Sequence, residues 1–141
     1  VGEVRSAEAI DMLQAMNTGH DGSLSTGHAN SPKDMLSRLE TMVLMGMELP
    51  LPAIQRQIAS GVDVIVHLGR LRDKSRKVLE VTEVLGYTGG EIQLQTLYQY
   101  EETGEKEGRI QGEWRKVHEI THTEKLLAAG YHKERIYMDY D

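Results

Sequence analysis

The sequence predicts an α/β protein with a mainly parallel sheet, flanking helices and an antiparallel hairpin at one edge. Three observations lead to this prediction. Helical patterns and short strands alternate over the first half of the chain, which favours parallel pairing. Residues 62–68 form a β-branched run that is typical of a buried strand. Residues 91–100 alternate apolar with mostly polar side chains, as a half-exposed strand does.

The N-terminal elements are predicted from apolar spacing and capping residues. Residues 1–4 have the pattern of the end of a buried strand. Ser6 is predicted to cap a helix over residues 7–17, which ends before Gly19. Its apolar positions recur at helical spacing: Ala9, Ile10, Leu13 and Met16. Residues 22–28 are polar and small, so they form either a loop or a short central strand.

Two further helices are predicted before the first long strand. Ser31 caps the first of them and Pro32 lies in its first turn, where the missing N–H has no helical partner to lose. Gly46 is expected to end this helix. After a proline-rich connector, the next helix is predicted over residues 53–60 and ends at Gly61.

The C-terminal half is predicted to be a hairpin followed by a short helix. Strands are expected at residues 77–85 and 91–100, with a turn over 86–90. Residues 101–108 are charged and contain glycine, so they are expected to form a loop tip. A final helix is predicted at about residues 123–129, before Gly130.

Composition narrows the function classes. The chain has 141 residues, enough for one domain with a modest core, and a formal net charge of −6 argues against nucleic acid as a partner. It contains no cysteine, which excludes disulfides and thiolate zinc sites.

Because the first residue is not Met and no capped element opens the chain, we expect a piece of a longer protein. A basic run is expected to be a solvated turn between two strands: Arg70, Arg72, Lys74, Arg76 and Lys77.

Three stretches carry a family resemblance. They are Val-Gly-Glu-Val-Arg at residues 1–5, the histidine-containing stretch 18–31, and residues 38–45 followed by 58–68. Together they resemble the type II/IV secretion ATPase superfamily of RecA-like NTPases, and within it the ATPases of tight-adherence (Flp) pili. The first matches the end of a Walker B strand and the second matches the histidine box. The resemblance therefore implies part of a RecA-like domain, with the Walker B and histidine-box part over 1–85 and a hairpin and C-terminal helix over 86–141.

The resemblance implies a motor that works in a ring. A homo-hexamer would hydrolyse ATP with Mg²⁺ at subunit interfaces and drive protein secretion or pilus assembly. It would lie in the cytoplasm against the inner face of the membrane, beside the inner-membrane platform proteins. The sequence contains no G-x-x-x-x-G-K-[ST] phosphate loop, which the family places ahead of Walker B. The chain alone is therefore expected to hydrolyse no ATP and to hold no cofactor.

The resemblance also assigns roles to individual residues. Glu3 would be the Walker B carboxylate, which holds a magnesium-bound water or orients the attacking water. His28 would contact the terminal phosphate, with His20 and Thr26 taking part in nucleotide sensing. The alternative for both histidines is a hydrogen-bonded structural role. Arginines are candidates for phosphate contacts across a ring interface, although a surface role is favoured for any single one: Arg5, Arg38, Arg56, Arg70 and Arg72.

Two alternatives compete with the motor. His118, Glu119 and His122 match H-E-x-x-H, in which two histidines on one helix share a zinc ion. A zinc metalloprotease would need a third ligand, for which Glu134 is the nearby candidate, and few apolar residues around the motif support a helix. The other alternative is a non-catalytic interaction module, whose exposed sheet edges would make the chain self-associate.

Overall fold

The computed structural model describes residues 2–18 and 22–131, in which a helical layer is followed by an antiparallel sheet. The helices are α1 (Ala9–Asn17), α2 (Pro32–Gly46), α3 (Leu51–Gly61) and α4 (Glu124–Ala128). The strands are β1 (Val64–Arg70), β2 (Arg76–Thr88), β3 (Glu91–Lys106) and β4 (Arg109–Lys116). Within the described ranges, no helix has the length and apolar character needed to cross a bilayer.

The core lies between the first three helices and one face of the sheet. Ile54 and Ile58 of α3 are fully buried, and α3 contacts both β2 and β3. The buried cluster also takes residues from α1 and α2: Ala9, Met12, Leu13, Leu36, Leu39, Met42 and Val43. Ala9 and Leu13 belong to the apolar stripe predicted for α1, whose Ile10 and Met16 pack against the cluster, whereas Met12 was not in that stripe.

The second helix begins as its sequence predicts, whereas the first does not. The Ser31 hydroxyl accepts a hydrogen bond from the Asp34 N–H at 3.0 Å, and Pro32 takes the first helical position. The prediction that Ser6 caps α1 was wrong. Its hydroxyl donates to the carboxylate of Glu8 at 2.7 Å, and α1 begins at Ala9 without a side-chain cap.

Ser31→Ala is expected to lower the free energy of unfolding by about 1 kcal/mol, because the Asp34 N–H loses its acceptor. Urea denaturation measures this change. Ser37→Ala on the exposed face of the same helix is the control and should change stability by less than about 0.5 kcal/mol. Equal effects of the two substitutions would show that the cap does not stabilise α2.

The prediction of a mainly parallel sheet does not hold for the described strands. They pair in the order β1-β2-β3-β4, and every pair is antiparallel. The physical reason is the length of the connections, since a parallel pair needs a crossover of a dozen or more residues. β2 and β3 are joined by Gly89 and Gly90, and β3 and β4 by Glu107 and Gly108, all with positive φ as in tight hairpin turns.

The charged stretch 101–108 was predicted to be a loop, and this was wrong. Residues 101–106 continue β3 and pair with β4, which the sequence did not predict. Arg72 in the β1–β2 turn forms ion pairs with Glu102 and Glu105 across the sheet. The basic run was correctly predicted to lie at a turn, since β1 ends at Arg70 and β2 begins at Arg76.

Candidate functional site

The candidate site lies where two extended segments, around residues 2–5 and 25–28, run side by side. The Val4 N–H donates to the Thr26 carbonyl at 2.7 Å, and the Thr26 hydroxyl donates to the Gly2 carbonyl. Val4 is buried in the core, which fixes the first segment. Neither segment is long enough in regular pairing to count as a strand, but their contact places Glu3 beside His28.

Glu3 is the centre of the site. Its side chain is 22% exposed, and its Oε2 accepts a hydrogen bond from Nη2 of Arg5 at 2.5 Å. Nε2 of His28, whose side chain is 87% exposed, lies 2.6 Å from Oε1. Three of the predicted site residues therefore lie within direct reach of one another, and Thr26 fixes the backbone between them.

The electrostatics keep Glu3 ionised. The Arg5 guanidinium lowers the pKa of Glu3 through a hydrogen bond and its charge, and His28 adds a smaller effect in the same direction. Glu3 in turn raises the pKa of Arg5. The site thus presents a carboxylate anion with a cation on one side and an exposed imidazole on the other.

Two buried oxygens at the site lack a well-directed hydrogen bond within the described residues. They are Oε1 of Glu3, which lies 2.6 Å from Nε2 of His28, and the hydroxyl of Ser25. Buried polar atoms normally have a partner, so each is a place where a water or ligand would be held. Sequence reasoning missed Ser25, because a serine in a polar loop gives no signal of its own.

Two supporting residues were also missed. A Cβ on Gly27 would come within 2.9 Å of Cε of Met35, the flexible end of an α2 side chain, so Gly27 lies in close contact with that helix. Glu8 accepts hydrogen bonds from the Arg5 N–H at 2.8 Å and from the Ser6 hydroxyl. The Ser6 hydroxyl and the Arg5 N–H together lower the pKa of Glu8 to about 2, so Glu8 stays charged and fixes the loop that carries Arg5.

The remaining candidates do not join this cluster. His20 lies outside the described residues. Arg38 donates to Asp34 at 3.0 Å along α2, and Arg70 ends β1 without pairing with Glu3. Arg72 is taken up by carboxylates of β3, and Arg56 stacks over the ring of Tyr87 at 5.2 Å.

The H-E-x-x-H segment has no helix to bring its histidines together. His118 and His122 lie in an irregular stretch before α4. Nδ1 of His118 lies 3.0 Å from the Thr96 carbonyl, and Nε2 of His122 lies 2.8 Å from the Leu85 carbonyl. Glu119 pairs with Lys116 at 2.7 Å. The described residues hold no group of three metal-ligating side chains, and Glu134 lies outside them.

The fold and site define a class, namely α/β proteins with a carboxylate–imidazole pair at the ends of adjoining extended segments. Comparison with known proteins identifies the family. The family described as "Type II/IV secretion system protein" matches residues 1–139, and the chain belongs to this family.

Individual relatives agree with this assignment. A Mycobacterium tuberculosis protein assigned to conjugal transfer is 40% identical over 98 residues, covering 70% of this chain and 27% of the relative. Conjugal transfer protein TrbB of Rhizobium radiobacter is 38% identical over 102 residues, covering 72% of this chain and 30% of the relative. The chain thus spans less than a third of the length of these relatives.

One solved structure supports the assignment in three dimensions. The crystal structure of the VirB11 ATPase from the type IV secretion system of Brucella suis, in complex with sulphate, superposes with a TM-score of 0.54 at 35% identity. The match covers 57% of this chain and 25% of that protein.

Proposed function

We propose that the chain is the Walker B and histidine-box part of a secretion ATPase, and that Glu3 and His28 act on the nucleotide. One observation carries the proposal: the two segments that match these motifs lie against each other and bring Glu3 within 2.6 Å of His28. Membership of the type II/IV secretion family over residues 1–139 supports it.

The residues fit a magnesium nucleotide. Glu3 offers an ionised carboxylate with a buried oxygen, Oε1, that no well-directed hydrogen bond occupies within the described residues. Bound Mg²⁺ would supply positive charge that neutralises the negative charge on the transferred phosphate and on the leaving group. In this proposal Glu3 holds or orients a water, and the exposed imidazole of His28 donates a hydrogen bond to the terminal phosphate. Thr26 and Gly27 hold His28 in position, and His20 takes part in sensing.

The finer features of the motor are part of the same proposal. The complete protein would form a homo-hexamer in the cytoplasm, peripheral to the inner face of the membrane. There it would power secretion or pilus assembly, with tight-adherence pili as the specific system. Arg5 would lie within the subunit's own site, because it already pairs with Glu3. Arg38 and Arg70 remain the arginines proposed to reach a neighbouring subunit, and self-association of the chain alone stays a prediction.

The complete gene product should hydrolyse ATP, whereas the 141-residue chain alone should not, because the phosphate loop is not in its sequence. Phosphate release measured on both proteins, with Mg²⁺ and with excess chelator, tests this. We expect magnesium-dependent release from the complete product only. A folded complete product without hydrolysis would contradict the proposed function, and hydrolysis by the 141-residue chain would contradict the inactivity of the part.

A further inference from the structure

We propose that a cleft on the sheet, remote in sequence from Glu3, binds an acidic peptide segment of a partner protein that carries an apolar or aromatic side chain. The cleft has a volume of about 520 Å³ and lies between the β1–β2 turn and β4. Three cations and two aromatic rings dominate its lining: Lys74, Lys77, Arg109, Tyr100 and Trp114. This volume is in the range of a ligand site and suits a few side chains.

The aromatic wall is built rigidly and faces outward. Tyr100 and Trp114 meet edge to face with ring centroids 5.4 Å apart. The indole N–H of Trp114 donates to the Val78 carbonyl at 2.7 Å, which ties the ring across β3 to β2. Nevertheless 52% of Trp114 is exposed, and Gly112 opposite leaves room for the Tyr100 ring against β4. A fixed, half-exposed tryptophan is a typical anchor for a partner's apolar side chain.

No described carboxylate lies within ion-pair distance of the cations of the cleft, although the charge of Lys77 helps to lower the pKa of Asp73. Lys74, Lys77 and Arg109 form no ion pair with any described residue, in contrast to Arg72 on the other side of the turn. Asp73, the carboxylate among the cleft's described lining residues, already accepts three hydrogen bonds, from the Ser75 hydroxyl and N–H and from the Ile110 N–H. These bonds, the Ser75 hydroxyl first, lower the pKa of Asp73 to about 2. Asp73 therefore fixes the turn against β4, and the cleft keeps an excess of positive charge.

The distribution of donors favours spaced carboxylates over phosphate. Phosphate sites usually present converging backbone N–H groups, but those of Ser75 and Ile110 already donate to Asp73. A long nucleic acid is disfavoured by the net charge of −6. β4 is also an edge of the described sheet, where an extended peptide could pair with backbone groups other than the Ile110 N–H. Charge, anchor and sheet edge together fit an acidic peptide.

The test uses Trp114 as the probe, since the chain contains one tryptophan. The 141-residue chain is titrated with the peptide acetyl-Asp-Glu-Phe-Asp-Glu-amide while Trp114 emission is recorded. We expect a saturable change whose affinity falls about tenfold or more between about 0.05 and 0.5 M NaCl. The double variant Lys74→Glu/Arg109→Glu should weaken binding about tenfold or more. Lys33→Glu, an exposed charge reversal on α2, is the matched control and should leave binding unchanged.

Comparison ligands decide between the chemistries. The uncharged peptide acetyl-Asn-Gln-Phe-Asn-Gln-amide should bind at least about tenfold more weakly than the acidic one. Equal binding of the two peptides, or unchanged binding by the double variant, would overturn the proposal. Tighter binding of oligothymidylate or ADP would assign the cleft to a nucleotide instead and overturn it as well. Because Lys74 and Arg109 are exposed, thermal unfolding of the double variant should match that of the unmodified chain.

Discussion

Glu3→Gln in the complete gene product is expected to reduce ATP turnover by at least about a hundredfold while leaving nucleotide binding largely intact. Glutamine has the size of glutamate but lacks its charge, so Arg5 loses its ionic partner and the position of Oε1 no longer carries a carboxylate. Positioning and charge supply most of the catalysis in phosphoryl transfer, which is why the loss should appear in turnover. Steady-state phosphate release and a fluorescent-nucleotide binding titration measure the two quantities separately.

Glu48→Gln is the matched control, because Glu48 is an exposed carboxylate that follows α2. It should leave turnover within about twofold, since an exposed charge without a described contact to Glu3, Arg5 or His28 contributes little. The pH dependence is a second readout. Arg5 holds the pKa of Glu3 below its usual value, so Glu3 stays ionised as the pH falls from neutrality. Protonation of Glu3 should therefore not cause turnover to fall in the mildly acidic range. Unchanged turnover in Glu3→Gln would remove Glu3 from the assigned role.

The helices could be predicted from the sequence because their signals are local. Ser31 and Pro32 define the start of α2 within two residues, and the apolar spacing predicted for α1 includes its buried residues Ala9 and Leu13. The sequence carries no such local signal for whether neighbouring strands pair parallel or antiparallel. An alternating or β-branched run looks the same in either direction, and only the two-residue turns after β2 and β3 distinguish the hairpins. Residues 101–106 were missed because their strand depends on β4 and on Arg72, far away in the sequence.

The residues of the candidate site likewise divide into those that local sequence predicts and those that depend on contacts in the fold. Glu3, Thr26 and His28 were predicted because their segments resemble family motifs, and the structure places them side by side. Gly27, Glu8 and Ser25 were missed, since each acts through a contact that exists only in the fold: the packing of Met35, the N–H of Arg5 and a buried position. A glycine or serine in a polar loop has the same appearance whether or not it supports a site.

Glu83→Ala is expected to lower the free energy of unfolding by about 3 kcal/mol, because two charge-assisted hydrogen bonds are lost. Glu83 lies in β2 and is 2% exposed. Its two carboxylate oxygens accept the backbone N–H groups of Thr121 and His122 at 2.8 and 2.9 Å. Removing the carboxylate leaves both N–H groups without an acceptor over the sheet, and the segment that leads to α4 loses its attachment.

Urea denaturation measures the global effect, and amide hydrogen exchange at Thr121 and His122 measures the local one. The free energy of unfolding of Glu83→Gln should lie between those of the unmodified chain and Glu83→Ala, because the amide keeps one acceptor oxygen and loses the charge. Glu80→Ala, three residues earlier on β2 and with no described side-chain hydrogen bond, is the control and should cost less than about 1 kcal/mol. If exchange at Thr121 and His122 were unchanged in Glu83→Ala, Glu83 would not hold this segment. The expected result would support a structural role for the H-E-x-x-H segment, whose backbone and two imidazoles contact carbonyls and a carboxylate of the sheet.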